Sequence, residues 1–362
     1  MPLLMVSIHS GVSDGEVDEA DLPKKVKRIE DKSQYKRAAT GDLVFNMMRA
    51  WQGAIGTVRT EGMVSPAYIV AEPNKLVDPL FMDYLMRTPR MVGAIHKQSY
   101  GVTDFRLRLY WDSFAPIHCV LPSVPEQEKI GEAVDIQNKI IDLKEKLLAE
   151  KQRQKKYLMQ QLLTDRMRLP GFDGEWMYVR ANQIFRNVTD KKHNGTLEVL
   201  SATQDRGIIP RSLVDIDIKY AVESLTGYKK VAKGNFVISL RSFQGGIEYS
   251  EYSGIVSPAY TVLSSIYPIE DNYYKQFFKS TDYINRLNIA VYGIRDGKQI
   301  SYNDFGRIRI PYPPLDEQKA IAAVLETADK EIEILKRNIE QEKQKKKALM
   351  QLLLTGIVRV NK

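Results

Sequence analysis

Two short stretches invite a chemical reading first. VSPAY occurs at residues 64–68 and again at residues 256–260. Ser-Pro-x-Tyr comes within one residue of the Pro-Pro-Tyr loop with which amino-group methyltransferases hold a flipped base. That chemistry also needs a methyl-donor site, a glycine-rich turn after a strand. The nearest string, FQGG from Phe243, has the wrong spacing. Both copies lie among β-branched and aromatic residues, where a proline suits a strand end or edge. VSPAY therefore reads as a turn entering a strand, with Tyr68 and Tyr260 in core or groove positions.

Other catalytic chemistries find fewer footholds. Gly297-Lys298 lacks the residues of a phosphate-binding loop around it. The four histidines, His9, His96, His118 and His193, have no paired ligand spacing, and one cysteine, Cys119, cannot build a zinc site. A chain of 362 residues with 43% hydrophobic content can bury two ordinary cores. A net charge of +8 favours a polyanionic partner. The lone cysteine fits a reducing compartment, and no run of 18 apolar residues suggests a membrane span. The first residues lack the basic and apolar regions of a signal peptide. The expected location is the cytoplasm.

The residues suited to reading DNA are those beside strands. Arg pairs with guanine and Gln with adenine through two hydrogen bonds each. Arg49, Trp51 and Gln52 form one such cluster; Arg241, Ser242, Phe243 and Gln244 form its counterpart. Arg295, Lys298 and Gln299 follow a Tyr-Gly turn, and Arg106 and Arg108 occupy the matching place earlier in the chain. Thr203, Gln204 and Arg206 follow a predicted strand, opposite His9–Gly11. A surface β-turn with a capping arginine explains the first pair of clusters equally well.

These clusters recur because the chain is an internal duplication. With one residue deleted, Arg49 falls on Arg241, Gln52 on Gln244 and Gly53 on Gly245. Tyr100-Gly101-Val102 matches Tyr292-Gly293-Ile294, and Asp104 matches Asp296, 192 residues on. VPEQEKI matches LDEQKAI, and LMQQLLT matches LMQLLLT, each 191 residues on. So long a period means duplicated domains rather than a solenoid. Each unit opens with short strand-like runs, with helices predicted at Pro79–Arg87 and Asn272–Leu287, and closes with one long helix. Asp316 is the expected N-cap of the second long helix, and Gly356 its stop. Its seam is Ile321, Leu325, Ala328, Ile332, Leu335 and Ile339; the first helix offers Ala133, Ile136, Ile140, Leu143 and Leu147. Two matching seams predict that the helices pair with each other, antiparallel. The polar tracts at residues 149–157 and 340–348 read as solvated faces that also suit DNA or a partner subunit.

The helix starts, the helix ends, LPGFDGEW at residues 169–176 and the repeated GDLVF…VSPAY block together resemble the specificity subunit of type I restriction-modification enzymes. The resemblance covers essentially the whole chain. It implies an α+β fold: two globular mixed α/β target-recognition domains separated by two long antiparallel coiled-coil helices. The corresponding boundaries are residues 1–125 and 169–315 for the domains, and 126–168 and 316–362 for the helices. The resemblance implies a non-catalytic subunit, without a cofactor of its own, whose domains each read half of a bipartite asymmetric site in double-stranded DNA. Modification subunits, two of them, would dock on the helices, and restriction subunits would join them. One departure stands out. LPGFDGEW and about 20 further residues precede the strand VLSAT in the second unit, whereas the matching strand LMVSI begins at Leu4. The first recognition domain is thus expected to lack its opening segment, through a late start, a truncation or a circular permutation.

Overall fold

The structure, a computed structural model, describes residues 1–13, 15, 32–103, 106–214, 222–290 and 300–360. The chain forms two compact units: unit 1 comprises residues 1–146 and 337–362, and unit 2 comprises residues 147–336.

Unit 1 opens with a hairpin of β1 (Val6–Ser7) and β2 (Gly11–Val12). Next come β3 (Lys36–Ala38), β4 (Leu43–Asn46), β5 (Ile55–Thr57), β6 (Gly62–Val64) and β7 (Tyr68–Ala71). β3 pairs with β6, and the sheet β5-β4-β7 is antiparallel throughout. Side chains alternate across β4, as strand geometry requires. Leu43 and Phe45 join a core with α1 (Pro79–Met86) and α2 (Pro89–Gln98), whereas Val44 faces Leu4, Val6 and Ala38. Both helices start on a side-chain cap followed by proline. Asp78 accepts from the Phe81 N–H and Thr88 from the Met91 N–H. A short α3 (Trp111–Phe114) precedes α4 (Val124–Leu162).

Unit 2 repeats this plan with an addition in front: β8 (Met177–Arg180), α5 (Ala181–Ile184) and β9 (Phe185–Val188). The shared elements are the hairpin β10 (Leu200–Thr203) and β11 (Gly207–Pro210), then β12 (Lys229–Val231), β13 (Phe236–Ile238), α6 (Ser242–Gly245), β14 (Glu248–Tyr249), β15 (Gly254–Val256) and β16 (Thr261–Ser265). They continue through α7 (Asp271–Phe277), α8 (Thr281–Ala290), α9 (Tyr302–Arg307), β17 (Arg309–Tyr312) and α10 (Leu315–Leu354). The added segment completes a four-stranded sheet, β14-β13-β16-β9, and pairs β8 with β17. The single helix expected over residues 272–287 is two helices. Ser280 ends the break between them, its hydroxyl accepting from the Tyr283 N–H.

The long helices number 39 and 40 residues. They run antiparallel within each unit. In unit 1 Glu126 meets Arg359, and Lys144 meets Glu342 at 2.8 Å. In unit 2 Lys151 meets Glu331 at 2.7 Å, and Arg168 meets Glu317. The polar tracts thus supply ion pairs between the helices. The seam of α10 is the expected one, with Ile321, Leu325, Ile332 and Ile339 buried. The seam of α4 is not. Ile136, Leu143 and Leu147 are 58%, 66% and 48% exposed, and Ile130, Val134, Gln137 and Ile141 are buried instead. The physical reason is Gln137. Its amide donates to the Glu342 carboxylate at 2.7 Å, which satisfies a polar group inside the seam. A search for apolar spacing alone moves to the neighbouring stripe. Asp316 lies in the first turn of α10 rather than capping it, because the Pro314 carbonyl accepts from the Glu317 and Gln318 N–H groups.

Candidate nucleic-acid interface

VSPAY is a turn in both units. The Tyr68 N–H donates to the Ser65 carbonyl at 2.9 Å, and the Tyr260 N–H to Ser257 at 3.0 Å. The turns join β6 to β7 and β15 to β16, and their tyrosines pack against the cores.

At one end of unit 1, the loop between β4 and β5 carries Arg49, Trp51 and Gln52. Arg49 and Gln52 are exposed. Gly53, at φ 101°, lets the chain turn back, a conformation that costs glycine little. The Trp51 indole N–H donates to the Met48 carbonyl, and its ring lies 5.7 Å from that of His96 on α2. Trp51 therefore braces the loop. The Leu109 N–H donates to the Met47 carbonyl at 2.9 Å. That bond brings the turn bearing Arg106 and Arg108, both exposed, beside the loop. The Ile8 carbonyl, in the β1–β2 turn, lies close to Gly53. Three chain segments thus meet, and two of them carry exposed arginines.

Unit 2 builds the same end. Arg241 and Gln244 are exposed, but Ser242 is only 1% exposed, and its hydroxyl accepts from the Ser239 N–H at 2.8 Å. Ser242 shapes the loop from inside, so it is removed from the reading set. Phe243 is half-buried against the main core. Gly246 has φ 79°, and a Cβ there would collide with the Phe278 carbonyl. The β10–β11 turn lies against this loop, with Gln204 beside Gly245. Gln204 and Arg206 are exposed, whereas the Thr203 hydroxyl is committed to the turn, donating to the Gly207 carbonyl at 2.9 Å. Arg295, Lys298 and Gln299 lie outside the described residues, as do the matches Asp104, Asp296 and Tyr292–Ile294.

Sequence reading missed the cation beneath this end. The Lys279 ammonium donates to the Gln204 and Gly245 carbonyls at 3.2 and 2.8 Å and pairs with the buried Glu248. Burial raises the Glu248 carboxyl, outweighing Lys279. Arg87 holds the equivalent place in unit 1, paired with the buried Asp83. The signal was available, since Arg87 and Lys279 are 192 residues apart.

At the helix starts, the repeated Glu-Gln pairs have structural work. Gln127 accepts from the Asp78 N–H and donates to the Leu76 and Pro122 carbonyls; Gln318 accepts from Glu270 and donates to Pro313. Glu126 and Glu317 each receive two guanidinium N–H groups, from Arg359 and Arg168. Arg359 holds the Glu126 carboxyl below the usual carboxylate range. Among the described residues, no group of three or more His, Cys, Asp or Glu could hold a metal, and no helix is long and apolar enough to cross a membrane.

Each of the two repeated mixed α/β units presents exposed arginine and glutamine side chains beside its strands. Comparison with known proteins adds to this picture. Residues 174–344 match the family described as the type I restriction modification DNA specificity domain. The chain is 24% identical over 388 residues to a putative type I restriction enzyme MjaX specificity subunit of Methanocaldococcus jannaschii, covering 96% of this chain and 86% of that one. In fold it resembles the HsdS subunit of Thermoanaerobacter tengcongensis (TM-score 0.53, 19% identity, 98% of this chain and 89% of that one). It also resembles a chain from a structure of complex assembly and conformational transition of the type I R-M system (TM-score 0.55, 19% identity, 98% and 91%). Residues 174–344 thus carry the type I restriction modification DNA specificity domain, and the chain as a whole is similar to a type I restriction enzyme specificity subunit.

Proposed function

We propose that each unit reads one half of a bipartite asymmetric site in double-stranded DNA, and that the chain supplies specificity while partner subunits supply catalysis. One observation carries this reading. In both units the β-hairpin turn and the loop after the central strand converge, with exposed Arg and Gln at matching positions, while the hairpin residues differ. Arg49, Gln52, Arg106 and Arg108 serve unit 1, and Arg241, Gln244, Gln204 and Arg206 serve unit 2. Trp51, Phe243, Thr203 and Ser242 hold the loops that present them. α4 and α10 act as spacer and frame. The exposed stripe of Ile136, Leu143 and Leu147 suits the helices of modification subunits, two in the full complex, which restriction subunits then join. The working compartment is the cytoplasm, where that DNA lies.

The test is genome-wide adenine methylation in cells carrying the cognate modification subunit and either this gene or its Arg241→Ala/Gln244→Ala form. The expected result is a bipartite motif in which the variant relaxes one half only. Equal loss of both halves by a folded variant refutes the assignment of these residues.

A further inference from the structure

The geometry points to Lys279 and Glu248 as a positioning pair: together they lock the β10–β11 turn to the loop after β13, and this lock sets which bases unit 2 accepts. The inference rests on the proposed reading of DNA by Arg241, Gln244, Gln204 and Arg206.

An ammonium has three N–H donors. Those of Lys279 meet three acceptors: the Gln204 carbonyl in the hairpin turn at 3.2 Å, the Gly245 carbonyl in the loop at 2.8 Å, and the Glu248 carboxylate on β14. Both segments that it holds carry exposed side chains of the reading set. With its donors committed inward, Lys279 acts through these segments rather than as a reader itself. Glu248 is 2% exposed and supplies the charge that keeps the ammonium in place.

The two units build this lock from different elements. Strand register makes Gly56 and Glu248 equivalent, since Val44 faces Gly56 across β4–β5 as Val237 faces Glu248 across β13–β14. Arg87 and Lys279 are 192 residues apart, as are Asp83 and Lys275. In unit 1 the acid comes from the helix. Asp83, 3% exposed, pairs with Arg87 one turn on, and its carboxylate accepts from the Thr57 N–H at 3.0 Å. It fills the space that a side chain at position 56 would need, because a Cβ on Gly56 would stand 2.7 Å from the Asp83 Oδ1. In unit 2 the acid comes from the strand, and the helix position holds Lys275, which pairs with Glu251 instead. The cation therefore keeps its place while its acid changes element. That place lies against the hairpin in both units: a Cβ built on Gly11 of β2 would meet the Arg87 guanidinium at 3.4 Å. Charge balance alone would not tie the cation to this junction, whereas fastening hairpin to loop does.

The experiment compares the natural full chain with Lys279→Met, Glu248→Gly and the swap variant Glu248→Gly/Lys275→Asp. Burial already pushes the Glu248 carboxyl up, so in Lys279→Met it takes a proton rather than standing as a buried charge, and that variant stays folded. Amide hydrogen exchange is read on the purified chain. Genome-wide adenine methylation is read in cells with the cognate modification subunit. In Lys279→Met and Glu248→Gly, the amides of β10 and β11 should exchange roughly tenfold faster. The half-site relaxed by Arg241→Ala/Gln244→Ala should accept further bases, and the other half-site should stay as it was. The swap variant returns a carboxylate to Lys279 from one turn earlier, as in unit 1, and should restore both the protection and the motif. Faster exchange with an unchanged motif would reduce the pair to a structural role and overturn the proposal. So would unchanged exchange in a folded Lys279→Met, or a swap variant no better than Glu248→Gly. If the natural chain itself gives no gene-dependent motif, the reading of DNA fails, and the exchange data decide the lock separately.

Discussion

Glu317 shows how one carboxylate can tie three parts of unit 2 together. It is fully buried at the start of α10, and it accepts from Arg168, at the end of the preceding helical repeat, and from Trp176, at the start of the added segment. Removing it leaves the indole N–H without its acceptor and the guanidinium with Asp165 alone, at 3.3 Å. Glu317→Ala should therefore destabilise unit 2 by about 3 kcal/mol, as breaking a buried ion pair does, measured by urea unfolding. Glu126 gives a pH prediction. Its folded carboxyl sits below the ordinary 4.5 because Arg359 donates to the charged form. A depressed carboxylate contributes stability above its unfolded value and loses it as pH falls through the folded one. The unfolding midpoint of unit 1 should drop below about pH 4.5. In Glu126→Gln that part of the pH dependence should flatten; an unchanged profile would show that the pair is not linked to folding.

The helices carry the clearest test at the scale of elements. Ile141 is buried in the seam of α4, and Leu143, two residues on, is exposed. Ile141→Ala should cost about 2 kcal/mol or more through the cavity it leaves, and Leu143→Ala should stay within about 0.5 kcal/mol. The reverse order would restore the seam read from apolar spacing. The loop after β13 is equally definite. Gly246→Ala forces a Cβ onto the Phe278 carbonyl at a positive φ. It should lower the melting temperature and disorder the Arg241 and Gln244 side chains together, visible as loss of specificity for one half-site before loss of overall DNA affinity.

For the whole molecule, the duplication gives the proposed reading of two half-sites its structural basis. The two units share a plan but not their hairpin residues, so they can differ in the bases they read. Phosphate contacts should make affinity fall steeply with salt, and Arg106→Ala should lower that slope by about one, checked by titration at several salt concentrations. If α4 and α10 set the spacer, adding two helical turns to both should lengthen the gap between methylated half-sites. An unchanged gap would remove the spacer role.

The duplication, the long helices, the helix at α1 and the VSPAY turns were legible in the sequence, because repetition and period are local properties. The exposed Arg and Gln positions were legible for the same reason: they sit beside strands in both copies. Two matters required the tertiary structure. The buried face of α4 turned on the bond of Gln137 to a residue 205 positions away. Ser242 proved internal because its hydroxyl closes the loop, which its neighbours' exposure does not reveal. Hydrophobic spacing tells which residues need cover; which groups supply it is decided by long-range contacts that no local pattern encodes.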